Sequence, residues 1–317
     1  MKPCDIHFPS GRDAPALLAI SGGRDSVALL HLMVSAGYSH LVLCHLNHGL
    51  RGRESGQDAA FVRRLAKRYD LVCEIEKVDV QAVAKAERIS TELAARNVRY
   101  EFLYRMAKKH GANHVYLAHH ADDQAETILA NLCRGTGIGG LKGMLAETAT
   151  QPILGRPLLQ IQRTEIDAYI EAQQLSYRED SSNESLVHRR NRLRHEVLPL
   201  LNQVYDRDVA PIIARLGRQA GRDDDCLWQQ ALAFIQDAAA IAQDGSLLLS
   251  KQIRSLHPAV LSRILSHWLG GLLKVPGIES ELLDSAMAML QPGGPAKINL
   301  PGNRHLRRKA GRLWVVG

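Results

Sequence analysis

Aromatic residues make up only 5% of this 317-residue chain, so ring platforms for base stacking are few. Any nucleic-acid contact is expected to rely on arginine and backbone groups. The five cysteines (Cys4, Cys44, Cys73, Cys133 and Cys226) are scattered, odd in number and free of any CxxC pair. That pattern argues against a disulfide framework, a zinc ribbon or an iron–sulfur site, and it fits a reducing cytoplasm. No apolar run approaches the length that spans a bilayer, so no membrane partner is expected. Met1 to His7 has no signal-peptide organisation. Neither HExxH nor a GK[ST] ending occurs, which removes the common zinc-hydrolase and Walker A signatures.

What remains is ordinary globular material, 45% hydrophobic and 23% charged, long enough for two domains. Lysine and arginine exceed aspartate and glutamate by 40 to 33, a formal charge of +7. The excess is clustered. Arg189-Arg190-Asn191-Arg192-Leu193-Arg194-His195 is one dense patch, and Arg304-His305-Leu306-Arg307-Arg308-Lys309 is another. Arg190, Asn191, Arg192, Arg307 and Arg308 are candidate contacts to a phosphate backbone, against the plain alternative of a solvated face.

Ser21-Gly22-Gly23-Arg24-Asp25-Ser26 is the most informative segment. It follows a short apolar run, Ala16 to Ile20, and precedes an apolar periodic segment, Val27 to Met33. Paired glycines let the backbone approach a ligand closely, and the following helix aims free N–H groups and its positive end at it. A phosphate chain suits such a loop, with Ser21 and Ser26 as further donors. Asp25 would repel phosphate unless it caps the helix or holds magnesium.

The first half alternates strand-like runs with helical patterns and predicts an α/β fold, a parallel sheet with helices on both faces. Strands are expected at 16–20, 41–45, 72–78 and 115–118, with helices at 26–35, 56–69, 91–110 and 123–133. Helical patterns then cover 164–174, 191–203 and 209–242, and the tail from Lys297 to Gly317 suggests a hairpin. The expected division is a nucleotide-binding domain over 1–205, a connecting helix over 206–228 and a smaller, mostly helical domain over 229–317. Arg222-Asp223-Asp224-Asp225 is expected to be a helix face. Gly135 to Gly140 matches GxGxxG but follows a helix, so it is expected to be a flexible loop. Asn183-Glu184-Ser185 is a sequon in form only.

His119-His120-Ala121-Asp122-Asp123-Gln124-Ala125-Glu126-Thr127 falls where a strand hands over to a helix. Asp123, Glu126 and Thr127 share one helix face. Helix capping alone does not call for two histidines beside three acids at a sheet's carboxyl edge. Such a group can bind magnesium, orient a cationic substrate or move protons. Asp25 and Asp122 are the candidate magnesium ligands.

The hexapeptide resembles the SGGxDS pyrophosphate-binding loop of the PP-loop ATP pyrophosphatase superfamily. Further segments narrow the resemblance: His45-Leu46-Asn47-His48-Gly49-Leu50-Arg51, Arg96-Asn97-Val98-Arg99-Tyr100, His119 to Thr127 with Arg134-Gly135, and Asp180-Ser181-Ser182-Asn183 leading to Arg190–His195. In this order they look like the bacterial tRNA(Ile)-lysidine synthetases, densely over 15–202 and weakly beyond. The resemblance is to the short form, and the further C-terminal domain of longer members is not expected.

The resemblance implies an adenine nucleotide α-hydrolase-like domain and a C-terminal tRNA-binding domain. It implies an ATP- and Mg²⁺-dependent ligase that joins L-lysine to the wobble cytidine of the isoleucine tRNA with a CAU anticodon. The cytidine 2-oxo group attacks the α-phosphorus, pyrophosphate leaves, and the lysine amine then displaces AMP from carbon 2. Ser21 to Ser26 would hold ATP, and Arg99, His119, Asp123, Glu126 and Arg194 would carry the chemistry. Arg99 and Arg194 would stabilise the phosphates or adenylate, Asp123 and Glu126 would bind the ammonium or magnesium, and His119 would be a polar contact or proton acceptor. A homodimer is left open. Two rivals are another tRNA-modifying enzyme of the superfamily, such as a thiolation enzyme, and a nucleotide-binding RNA-binding protein without catalysis.

Overall fold

The computed structural model describes residues 6–9, 11–49, 53–179, 189–238, 240–291 and 293–317. Cys4, Leu50, Arg51, the Asp180–Asn183 segment and the Asn183-Glu184-Ser185 sequon lie outside these residues. The chain divides into two compact units. The first comprises Met1–Ala130 and Gly143–Arg215, and the second comprises Asn131–Lys142 and Leu216–Gly317.

The first unit is built on five parallel strands, β1 (Ala16–Ala19), β2 (Leu41–Asn47), β3 (Val72–Lys77), β4 (His114–Tyr116) and β5 (Ile153–Gly155), in the order β3-β2-β1-β4-β5. The expected four strands are present within a few residues of their predicted bounds. The fifth, only three residues long, gave too short a pattern to read. Alternation along β1 explains the layering. Ala16, Leu18 and Ile20 enter a core with helices α1 (Arg24–Ser35), α2 (Arg53–Arg68) and α7 (Arg163–Ala172). Leu17 faces the opposite core with Phe102, Leu103 and Met106 of α4 (Thr91–His110). Both faces of the sheet are therefore covered, as parallel sheets require.

Between β3 and α4 lies α3 (Val80–Glu87), whose start is capped by Asp79 accepting from the N–H groups of Gln81 and Ala82. Helix α5 (Ala121–Leu132) follows β4. Because β1 is flanked by β2 on one side and β4 on the other, chain order reverses beside it. The crevice at the carboxyl ends of β1 and β4 is the expected ligand position in such a sheet. The loops from Ser21 and from His119 both leave the sheet there.

The first unit ends in a continuous helical stretch. α8 (Arg189–Arg192) passes through a π-helical turn (Leu193–Val197) into α9 (Leu198–Tyr205), and α10 (Ala210–Asp237) begins after it. A small core of Ala125, Leu198, Val209 and Ala210 fastens α5 to these helices.

The second unit has its own core around the fully buried Trp268, whose indole N–H donates to the Gly245 carbonyl at 2.8 Å. It contains α6 (Ile138–Leu141), α11 (Lys251–Arg254), α12 (Pro258–Ser266) and α13 (Ser280–Ala288). The expected hairpin is part of a larger antiparallel sheet. β7 (Lys297–Leu300), β8 (Arg304–Lys309) and β9 (Arg312–Val316) are joined by β6 (Leu247–Leu248), in the order β6-β9-β8-β7.

Two expectations are corrected here. Gly135 to Gly140 is not simply a flexible loop, because Ile138 onward forms the helical turn α6 and Asn131 Nδ2 donates to the Gly140 carbonyl at 2.7 Å. Asp224 is not an exposed helix-face residue, as the run around it suggested. It is 2% exposed and takes Lys142 Nζ at 2.8 Å and Arg263 Nη2 at 2.6 Å. One position in four on a helix can point inward within a run of like charges, and composition does not show which.

Candidate active site

The nucleotide loop is held by its own serines. Ser26 Oγ donates to the Gly23 carbonyl at 2.8 Å and accepts from Gly22 N–H, and Ser21 Oγ accepts from Gly23 N–H at 3.1 Å. The two hydroxyls thus shape the turn. Gly22 has φ +90°, and a Cβ there would meet Phe61 Cδ1 at 3.2 Å, so both conformation and space call for glycine. Gly23 caps α1 with no side-chain hydrogen bond, which leaves the first turn's N–H groups open to an anion. Arg24 reaches Asp167 of α7 at 2.7 Å and Asp25 at 3.1 Å.

Asp25 points from this loop to the second element of the site. The ring of His120, 3% exposed, has Nε2 3.8 Å from Asp25 Oδ2 and 3.5 Å from Asp123 Oδ2. Its Nδ1 lies 3.5 Å from Asp122 Oδ1. Burial opposes a charge on this ring. The Asp122 hydrogen bond and the fields of Asp123 and Asp25 outweigh it, and the His120 pKa is raised.

Asp123 and Glu126 sit on the inner face of α5, and each is gripped by the same two arginines. Arg190 Nε is 2.6 Å from Glu126 Oε2, and its Nη2 is 2.8 Å from Asp123 Oδ1. Arg194, four residues on and so on the same helix face, repeats this with 2.6 Å to Glu126 Oε1 and 2.9 Å to Asp123 Oδ1. Asp123 Oδ2 accepts from His120 N–H at 3.0 Å. Desolvation would raise the Asp123 pKa, but His120, Arg190, His119 and Arg194 together hold it well below the carboxylate range. The same carboxylates raise the pKa of both arginines against the effect of burial. Thr127, on this face in the sequence reading, directs its hydroxyl to the Asp123 carbonyl.

His119 behaves oppositely to its neighbour. Burial, with the positive fields of Arg156, Arg190 and Arg99, outweighs Asp123 and lowers its pKa to about 4. Its Nδ1 is buried without a hydrogen-bond partner. Arg99 extends from α4 with Nη2 3.4 Å from His48 Nε2.

A cavity of about 120 Å³ opens beside the cluster, lined among others by Asp122, Glu126, Arg163, Arg194, Asn202 and Asp208. Arg163, Asn202 and Asp208 were missed in the sequence, where nothing in their immediate surroundings marks them. Among the described residues no group of three histidine, cysteine or acidic side chains is arranged to hold a metal ion. Asp25 and Asp122 remain partly exposed, and one or two carboxylates with phosphate oxygens suffice for magnesium.

Other candidates lie apart from this cluster. Arg192 is exposed and pairs with Glu196 at 2.8 Å, and Asn191 is partly buried next to it. In the second unit Arg307 is exposed. The Arg308 guanidinium is instead committed to the carbonyls of Met289, Gln291 and Gly294.

The sequence matches the PP-loop domain over residues 8–201, more than half of its length. The chain belongs to the PP-loop family. Among curated relatives it is 47% identical to the tRNA(Ile)-lysidine synthase of Porphyromonas gingivalis W83 over 61% of this chain and 42% of that one. It is 35% identical to that of Geobacter sulfurreducens over 90% and 61%, and 31% identical to that of Clostridium acetobutylicum over 94% and 65%. The chain thus spans roughly two fifths to two thirds of these relatives. Its fold is similar to that of the U34-tRNA thiolase NcsA of Methanococcus maripaludis, with TM-score 0.53, 19% identity and coverage of 66% and 72%. No helix among the described residues is long and apolar enough to cross a membrane.

Proposed function

We propose that the protein joins L-lysine to the wobble cytidine of the CAU-anticodon isoleucine tRNA through an adenylated base, with release of pyrophosphate and then AMP. The observation that carries this reading is the position of His120. Its two ring nitrogens face Asp25 of the nucleotide loop on one side and Asp122 of α5 on the other, so loop and acids belong to one site. The names of the curated relatives support the choice of substrate.

In this reading the open N-terminus of α1 and the Gly22-Gly23 backbone hold the ATP phosphates. Asp25 would hold a magnesium ion that offsets phosphate charge, and Asp122, across the His120 ring, is the alternative ligand. Arg99 and Arg194 stabilise the phosphates or adenylate. Two arginines matched to Asp123 and Glu126 leave the cluster near neutral. An incoming ammonium and phosphate can exchange for those partners without adding net charge. The cavity beside Glu126 and Asp122 would receive the lysine. His119, with its pKa near 4, acts as a neutral polar contact and is too weak a base for an ammonium. Asn191, Arg192 and Arg307 contact the tRNA backbone.

Pyrophosphate release with unmodified tRNA, measured with and without lysine, tests the reading. Release is expected to require the tRNA, and lysine to complete turnover and modify the base. ATP consumption indifferent to both would overturn it. Asp25→Ala is expected to abolish adenylation with tRNA binding retained.

A further inference from the structure

One side of α4 carries a pattern that the nucleotide chemistry does not use. Arg96, Tyr100, Tyr104 and Lys108 recur at every fourth residue, so they form one line along the helix. The Arg96 guanidinium stands 5.4 Å from the centre of the Tyr100 ring, and the Tyr100 and Tyr104 rings are 6.2 Å apart, inclined at 34°. Tyr100 rests partly on the core formed by Leu17, Val42 and Phe102, which fixes the ladder in place. Arg96, Tyr104 and Lys108 are exposed. From first to last the line is about 18 Å long. It starts one turn before Arg99, whose Nη2 lies 3.4 Å from His48 Nε2 in the loop leaving the carboxyl end of β2.

We infer that this cation–ring–ring–cation stripe is a stacking platform for unpaired bases of single-stranded RNA next to the reacting nucleotide. Exposed rings are rare in this protein. Among the described residues only Tyr104, Tyr177 and Tyr205 are exposed large aromatic side chains. Tyr104 alone of these is fixed against a second ring that carries an arginine. Internal pairing at this spacing accounts for a few tenths of a kcal/mol of helix stability, and that does not require an exposed ring face. A base offers a π-face to Tyr104 and its phosphates offer charge to Arg96 and Lys108, the combination that single-strand binders use. Glu92 stands on the same line but in the first turn, where the helix dipole favours an acid. Glu101 lies off the line. A base flipped into the site leaves its neighbours unstacked, and the platform receives them.

The inference rests on the tRNA reading above, and its test separates the two. The probe is an anticodon stem-loop RNA with 2-aminopurine beside the wobble cytidine, titrated with the full chain. Binding by the unaltered protein is expected to quench the 2-aminopurine. Tyr104→Leu, which keeps an apolar side chain but removes the π-face, is expected to lose most of the quench and to weaken binding about tenfold. Tyr104→Phe and Tyr104→Trp are expected to retain both, and thermal melting checks that each variant is folded. A folded Tyr104→Leu with undiminished quench and affinity overturns the platform while leaving the tRNA reading intact. An unaltered protein that neither binds the stem-loop nor releases pyrophosphate with tRNA overturns both.

Discussion

Two adjacent histidines show how far one residue's surroundings can diverge from the next. His119 faces arginines and is pushed down to about 4, while His120 faces carboxylates and is pushed up from 6.5. Histidine-resolved NMR titration is expected to show one ring neutral across the physiological range and the other holding its proton above its ordinary value. Their stability effects differ in sign window. The His120 contribution is complete below pH 6.5 and is lost as pH rises through its raised folded value. The His119 contribution is complete above 6.5 and declines as pH falls towards 4, because only the unfolded ring gains a proton in that interval. Gln in place of either residue should flatten the matching limb in a pH series of denaturant melts. Glu126, 1% exposed between two arginines, is a separate case. Glu126→Ala is expected to destabilise the fold by about 3 kcal/mol, at the low end of the range for a broken buried pair because Arg190 and Arg194 reach solvent. A change under 0.5 kcal/mol in chemical denaturation would contradict this. Sequence alone marked these acids as functional through their density, but it placed Arg190 on a tRNA surface. The structure turns Arg190 onto Asp123 and Glu126, and no linear pattern could have joined positions 126 and 190.

Among the elements, the strands and helices with clear periodicity were legible and the irregular ones were not. β1 reads from Ala16 to Ile20 because a buried strand in a parallel sheet is continuously apolar. β5 has three residues and α6 has four, too few for any period to register. Helix α10 was legible as a helix, but its inward-facing side was obscured by the Arg222–Asp225 run. Asp224→Ala is expected to destabilise the second unit by about 3 kcal/mol, since it strands Lys142 and Arg263. Asp223→Ala and Asp225→Ala, at exposed positions, should stay within about 0.5 kcal/mol. Equal effects from all three would return the run to a uniform helix face. The β1–α1 turn gives a sharper expectation. Gly22→Ala combines a positive φ with a contact on Phe61 and should cost about 1–2 kcal/mol together with nucleotide affinity.

At the level of the whole molecule, a charge of +7 supports association with a polyanion, but its distribution decides which residues take part. Arg307→Ala is expected to reduce the salt dependence of tRNA binding by about one counterion without loss of stability. Arg308→Ala should instead lower the melting temperature, because three carbonyls lose their donor. An unaltered salt slope in the first variant would remove the terminal sheet from the binding surface. The change from mixed to helical patterns led to an expected division at 205 and 228, whereas the units meet at Arg215. The excursion of Asn131–Lys142 into the second unit was not legible, because the chain leaves and returns within a dozen residues. That detour bears on any attempt at dissection. The polypeptide passes between the units after Ala130, Lys142 and Arg215, so one cut cannot part them. Removing everything beyond Arg215 would leave Lys142 and Gly139, in the segment that follows the helix bearing Asp123 and Glu126, without the aspartate they pack against. Truncation at Arg215 is therefore expected to leave Asn131–Lys142 without the rest of its own unit.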